Sequence, residues 1–581
     1  MNKSAEILYP ILLLLVFGVL FFSALPSTVV IDYDEGVYAE VSRVMYQNAQ
    51  PVIPELNGEG FFEKPPMLYW AQMLGYKLFG VNSLGARFFN ATAGLATLLV
   101  FYLGAARPLG RRMAFNATLV LGSSIIFTYL ARVAMTDMFL TLFLSLCLIC
   151  SWYGVERAMQ NKGGTVLFLL GCLFGALAML SKGAIGALFP VLTALIYLVS
   201  IGRPAIIFRK TWFLPGAAIL TLVGFSWYLL LGFTHPDGFA FMKELFIKHH
   251  MGRFSQPMEG HSGSIFYYLL VLLVGFMPWF GYLLLALVLF AVKGLSLKTD
   301  GRQRYLRLHI LFSLVVFVFF SIAATKLPNY ILPALPGFAL LIAWLFDREQ
   351  SARPLIWRIA GWVSVLPVVL LGLVLAAAPL IYPYLAELLG EDALRAPALS
   401  EAVALGLTPY LAAALFLVSA FLIVRAVGKN QPARLFETLV LSSFINVCTI
   451  FFLVIPLYDS LFDAPLARLA ERAAEHTPAG GKIVVFEIDD RPSISFVSGL
   501  AAIEHDQRDF RQLPQRFADP GVSVGLTSVF YFERLQEQSI PLIELARDTG
   551  FVLFRPPDGQ LDRHLNGQAT MQEDTSEKLS F

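Results

Sequence analysis

The sequence predicts an α-helical polytopic membrane protein that ends in a small outward-facing α/β domain. Three observations lead there. Of its 581 residues 57% are hydrophobic and only 14% charged, where a soluble domain carries roughly 25%. Apolar runs long enough to cross a bilayer recur from Leu8 to about residue 457. Beyond residue 458 the pattern breaks into short strand-like and helix-like pieces.

The net charge of +2 decides little, because charge distribution matters more than its sum in a membrane protein. All four cysteines, Cys147, Cys150, Cys172 and Cys448, sit inside apolar runs, so no disulfide framework is expected. Nothing in the composition points to a nucleic-acid partner.

Taken in order, Leu8–Pro26 is a first span. It is too long for an ordinary signal h-region and lacks an Ala-x-Ala site, which predicts an uncleaved segment. Residues 27–85 form a long loop. Its stretch Ile31–Glu40 holds Asp32, Asp34, Glu35 and Glu40, followed by a helical pattern with Val37, Val41, Val44 and Met45 on one face. Between hydrophobic spans, that amphipathic helix is expected to lie flat on the membrane surface. Met67–Phe79 reads as a second surface or re-entrant helix. Further spans are expected at 86–106, 114–130, 138–156, 165–181, 183–201, 212–233, 265–291, 308–325, 329–346, 359–383, 408–425 and 437–457, about 13 with the first.

Basic residues collect in alternate loops. Arg107, Arg111 and Arg112, then Arg157 and Lys162, then Arg203, Arg209 and Lys210 begin a series that runs on to Arg425, Lys429 and Arg434. The positive-inside rule puts those loops in the cytoplasm. Loops 27–85 and 234–264 and the tail after 458 therefore face outward. The expected divisions are a transmembrane domain (1–457), a small α/β domain (458–561) and a disordered polar tail (562–581). In the α/β domain, Ala464–Thr477 is the expected helix, with strands at Lys482–Ile488, Ser523–Phe532 and Gly550–Arg555.

Charged groups beside apolar spans are costly unless paired or wet, so they mark candidate sites. The outward set includes Asp34, Glu35, Glu63, Lys64, Arg132, Asp137, Lys182, His249, His250, Arg253 and Lys326. Converging cations suit a phosphate, and a carboxylate beside them can act as a base or orient a sugar. Plainer roles compete. Asp32 and Glu35 fit a capping box, Asp137 can cap the helix that follows it, and Lys182 and Lys326 can snorkel at span ends. No ligand spacing announces a metal, although Glu63 with a histidine is possible zinc chemistry.

Six motifs in register carry a resemblance. They are Asp34-Glu35-x-x-Tyr38-Ala39-Glu40, Phe62-Glu63-Lys64-Pro65, Asp137 before a span, Ser181-Lys182-Gly183, His250-x-x-Arg253-Phe254 and Lys326-Leu327-Pro328-x-Tyr330-Ile331-Leu332. Over roughly the first 340 residues the chain resembles the bacterial aminoarabinose transferases, within the GT-C group that includes protein O-mannosyltransferases. The resemblance implies a GT-C fold and an inverting transferase fed by a polyprenyl-phosphate sugar. Its most specific form moves 4-amino-4-deoxy-L-arabinose from undecaprenyl phosphate to lipid A on the outer side of the bacterial inner membrane. By carry-over Asp34 is the principal catalytic carboxylate, with Glu35 beside it and Asp137 at a second acidic position. Lys64, Arg253, Lys326, Tyr330 and Lys182 match substrate-binding positions. Glu63 and His250 match positions implicated in a bound zinc. A monomer is expected. The Asp32-Tyr33 lead-in departs from the family pattern, and no motif matches after about residue 340. A protein O-glycosyltransferase and a lipid-linked sugar transporter are the rival readings. The transporter is disfavoured because no inverted repeat is evident.

Overall fold

The computed structural model describes residues 4–236, 238–241, 262–293, 300–348, 354–390, 397–400, 403–429, 431–478, 480–488, 491–505, 513–517, 519, 521–538 and 540–557. His249, His250, Arg253 and the polar tail fall outside them. The protein is a multi-pass helical membrane protein. Among the described residues nine helical segments are long and apolar enough to span, from Ser83–Leu109 to Pro432–Phe462. Arg111–Gly122 and Ile125–Arg132, bent by 68° at a short break, are long and apolar enough only when taken together, as a broken span or a re-entrant loop. Three of the expected spans appear as shorter apolar helices, Ile7–Phe22, Ile185–Ser200 and Phe280–Val292. The expected 265–291 span is two helices broken at Phe276–Trp279, where Pro278 supplies no backbone N–H.

Ion pairs mark the two ends of the bundle. At one end Arg304 Nε meets Glu156 at 2.6 Å, Arg302 pairs with Asp347, and Arg307 donates to the Ser200 carbonyl at 2.9 Å. The opposite end carries the acidic stretch and the turns holding Asp137, Lys182 and Asn329.

The loop between the first two spans folds into two helices, Asp34–Gln47 and Met67–Phe79, joined through a two-stranded hairpin, Glu55–Leu56 with Glu59–Gly60. Val37, Val41 and Met45 are buried, as their spacing predicts, but so is nearly every residue from Glu35 to Arg43. The helix is therefore enclosed by protein instead of lying on lipid. The hydroxyl of Tyr76 donates to the Ala39 carbonyl from one side. Buried charges on the remaining turns are matched internally, as where Arg43 grips Glu40 at 2.6 Å through both Nε and Nη2.

The C-terminal part is a five-stranded sheet in the order 501–505, 482–486, 522–528, 551–555, 543–548, the first three parallel and the last two pairings antiparallel. Ala464–Glu475 covers it, burying Leu466, Leu469, Ala470 and Ala473. Two strands were not legible in the sequence, Ala501–His505 and Ile543–Asp548. The second of the expected strands stops at Ser528, whose hydroxyl accepts the Tyr531 N–H and starts the helix Val529–Glu537.

Candidate active site

The site is built around Arg87, a guanidinium sunk near the start of the span Ser83–Leu109. Its Nε and Nη2 donate to the two Glu35 carboxylate oxygens at 2.8 and 2.6 Å. Its remaining donors reach the Leu25, Thr28 and Val29 carbonyls and the Thr28 hydroxyl. Glu35 also accepts the N–H groups of Ile31 at 2.9 Å and Ala134 at 2.7 Å. At 2% exposure, with both oxygens doubly engaged, Glu35 is a clamp that holds the first loop against two spans. It does not present a free carboxylate.

The preceding acid is placed differently. Asp34 is half-buried at the rim of a cavity of about 320 Å³. The walls are the stretch Ile31–Glu35, Ile126, Tyr129 and Leu130 on the bent span, Val133 and Met135 after it, and Leu327–Asn329 opposite. Among the described residues Asp34 makes no hydrogen bond or ion pair. One turn further along the same helix, Tyr38 packs on Tyr69 with ring centroids 6.2 Å apart, and Lys64 Nζ lies 5.9 Å over the Tyr38 ring. Lys64 pairs with Glu63 at 3.3 Å. Burial, helped by the charges of Glu63 and Asp34, pushes the Tyr69 hydroxyl well above its ordinary value. Asp34, Glu63 and Lys64 thus share one neighbourhood with Tyr38 and Tyr69.

A second cluster lies across the cavity. Gly183, at φ 78°, ends the helix Thr165–Lys182 in a conformation that a side chain rarely adopts, which leaves Lys182 at the helix terminus. Its ammonium contacts Asp137 at 2.5 Å, while the Asn329 amide donates to the other Asp137 oxygen at 2.9 Å. Lys182 also sits 4.6 Å over the Tyr330 ring. Asp137 is 1% exposed and does not cap its helix, whose cap residue, Met135, makes no side-chain bond. Nor does Lys182 snorkel.

Lys326 corrects an expectation. Its ammonium donates to the Phe320, Ser321 and Ala323 carbonyls at 2.9, 2.6 and 2.6 Å, closing the C-terminal end of the helix Gly301–Ile322. A cation there meets the negative pole of the helix and three otherwise orphaned acceptors. Burial lowers its pKa. All three donors are used, so the structure does not bring Lys64 and Lys326 onto a common group.

Asp32 corrects another. Tyr33 occupies the N-cap position and its side chain does not cap the helix, and the Asp32 carboxylate turns away to Ser493 of the C-terminal domain. Among the described residues no three His, Cys, Asp or Glu side chains converge to hold a metal. Glu63 is paired with Lys64.

Arg87, Asn329 and Tyr69 escaped the sequence reading. Arg87 could have been found as a lone cation at the edge of an apolar run. Asn329 and Tyr69 carry no such signal.

Comparison with known proteins falls on this geometry. ArnT from Cupriavidus metallidurans, in a structure bound to undecaprenyl phosphate, superposes with a TM-score of 0.72 at 22% identity, over 96% of this chain and 99% of that one. The oligosaccharyltransferase AglB from Archaeoglobus fulgidus superposes with a TM-score of 0.50 at 11% identity, over 91% and 70%. The fold is that of the GT-C membrane glycosyltransferases. Residues 63–230 match the dolichyl-phosphate-mannose-protein mannosyltransferase family. In sequence the chain resembles the undecaprenyl phosphate-α-4-amino-4-deoxy-L-arabinose arabinosyl transferases. It is 30% identical to that of Edwardsiella ictaluri over 61% of this chain and 62% of the relative. With that of Yersinia enterocolitica it shares 30% over 62% and 65%. The matched stretch thus spans less than two thirds of those relatives' length.

Proposed function

We propose that this chain is an inverting glycosyltransferase of the bacterial inner membrane that moves a sugar from a polyprenyl-phosphate donor to an acceptor on the periplasmic side. The favoured pair is 4-amino-4-deoxy-L-arabinose and a lipid A phosphate. One observation carries the reading. Of the acids that line the cavity, Asp32 is held by Ser493 and Glu35 by Arg87, and Asp137, behind Asn329 of the far wall, is paired with Lys182, while Asp34 keeps its carboxylate unpaired among the described residues. A cavity edge with one uncommitted carboxylate suits displacement at a sugar carbon.

The bond between the anomeric carbon and the donor phosphate oxygen breaks as an acceptor oxygen attacks from the opposite face. The electron pair leaves on the polyprenyl phosphate. An acceptor phosphate is already nucleophilic, so Asp34 then orients the sugar and stabilises developing positive charge. A hydroxyl acceptor requires Asp34 to take its proton. Lys64, with Arg253 from the outward loop, is assigned to the leaving phosphate. Lys182 and Tyr330 hold the far wall through Asp137, and Lys326 supports that wall from the helix end. Neither a partner subunit nor a metal enters the scheme; Glu63 with His250 is the pair that would hold a zinc ion. A protein O-glycosyltransferase is the second reading, favoured by the mannosyltransferase match over 63–230.

Mass spectrometry of lipid A from cells with and without the gene tests both. Loss of an aminoarabinose-bearing species on deletion is the expected result. Unchanged lipid A together with loss of a glycosylated periplasmic protein selects the second reading.

A further inference from the structure

The C-terminal domain touches the acidic loop, and the contact is built from both sides. Its helix Pro492–Ser498 packs against Asp34–Gln47. Phe496 enters an apolar pocket formed by Val30, Ala39, Tyr76 and Ala86, with its ring 6.1 Å from that of Tyr76. Beside it the Asp32 carboxylate accepts the Ser493 N–H at 3.0 Å and meets the Ser493 hydroxyl. Arg491 lies 3.9 Å from Asp32 and 3.4 Å from Asp463, bridging the two acids. Gly36 makes the approach possible. A Cβ there would stand 2.3 Å from the Asp32 carboxylate oxygen and 3.1 Å from the Ser493 nitrogen.

Asp32 is two residues from Asp34, and both line the same cavity. On its other side the stretch is held by the Arg87–Glu35 clamp. Asp34 therefore sits in a short piece of backbone fixed at both ends, once by a transmembrane helix and once by the soluble domain.

We propose that the C-terminal domain is a positioning element of the active site, in which Ser493 and Arg491, acting through Asp32, hold the backbone that presents Asp34 to the cavity. The inference rests on the reading of Asp34 as the reacting carboxylate. Ser493 and Arg491 are positioning residues and touch no substrate. A misplacement of about 1 Å can reduce turnover on the order of 100-fold without loss of the reacting group. The domain would thus act on the rate of the transfer step and leave donor capture to other residues.

The test uses the full-length protein in detergent, with undecaprenyl-phosphate aminoarabinose and lipid A as substrates. Ser493→Ala should lower kcat on the order of 10- to 100-fold with donor KM within about twofold of the parent. Ser493→Thr, which keeps the hydroxyl, should restore it. Gly36→Ala, which drives a methyl group into the Asp32 carboxylate, should reproduce the kcat loss from the other side. Hydrogen–deuterium exchange should show faster exchange across residues 28–40 in Ser493→Ala and Gly36→Ala, with the spans unchanged. Wild-type protein that transfers no sugar defeats the transferase reading itself. An active wild type with parental kcat in both Ser493→Ala and Gly36→Ala overturns the positioning role. So does a Ser493→Ala variant that loses melting temperature and abundance and that Ser493→Thr does not rescue in kcat, since the contact is then merely structural.

Discussion

Arg87 holds Glu35 through two hydrogen bonds of 2.8 and 2.6 Å, and both side chains are almost wholly buried. The pair divides the labour between adjacent acids. Glu35 is consumed in fastening the loop to the membrane bundle, and its neighbour Asp34 is thereby presented at the cavity with its carboxylate uncommitted among the described residues. Two like residues side by side in sequence should respond to mutation in opposite ways.

Asp34→Asn keeps the shape and removes the charge, so turnover should fall roughly 10²–10⁴-fold if the carboxylate acts as general base. Abundance and melting temperature should hold. Glu35→Gln leaves a buried guanidinium without its counter-charge, a loss on the order of 3–5 kcal/mol, and should show first as reduced protein in the membrane. Measuring transfer and abundance together for both variants separates the roles. Near-normal transfer by Asp34→Asn would falsify its assignment.

The Asp137–Lys182 pair should behave as a unit. Lys182→Met strands a buried carboxylate and should cost about 3–5 kcal/mol. Asp137→Asn combined with Lys182→Met removes both charges and should recover much of that stability. Thermal unfolding of the parent, the Asp137→Asn and Lys182→Met single variants and the double variant gives the coupling directly. Additive losses in the double variant would mean the 2.5 Å contact carries no mutual stabilisation.

Lys326 offers a choice between a helix cap and a phosphate ligand. As a cap, Lys326→Met should lower stability by up to ~2 kcal/mol while donor KM stays near the parental value. As a desolvated phosphate ligand it should weaken donor binding by roughly 2–5 kcal/mol. Donor KM and melting temperature measured on one preparation distinguish the two, and the observed hydrogen bonds favour the cap.

Domain docking should depend on pH. Burial, opposed by the Ser493 hydrogen bonds and by Arg491, raises Asp32 from 3.8 to about 7, and Asp463 is raised as well. The charged groups acting on Asp32 are Arg491, which favours its ionised form, and Asp463, which opposes it. Forming the contact takes up a proton between those two pKa values. Its stabilisation is therefore complete below 3.8, declines as pH rises towards about 7, and is lost above it. Asp32→Asn should abolish that slope. Exchange protection of residues 28–40, followed from about pH 4 to about pH 8, checks it. A slope unchanged in Asp32→Asn would assign the pH dependence to another group.

Much of the fold was legible because its signals are local. Composition and run length mark a membrane protein, periodicity at Val37, Val41 and Met45 marks a helix, and motif order points to the GT-C group. Alternating basic loops set the expected orientation. Short strands at Ala501–His505 and Ile543–Asp548 were not legible, because five or six residues of mixed polarity carry no period that stands above their surroundings.

Sequence by itself determined which residues carry charge beside an apolar span, and hence the set from which a site must be drawn. Only the tertiary structure decided which of those charges are already spent. Glu35 meets Arg87 across 52 positions, Asp137 meets Asn329 across 192, and Asp32 meets Ser493 across 461. A carboxylate's chemistry depends on the cations and donors within a few ångströms of it, and chain order does not encode that distance. So Asp32, Asp34 and Glu35, alike in sequence, become an anchor to a distant domain, a candidate reacting group and a buried clamp.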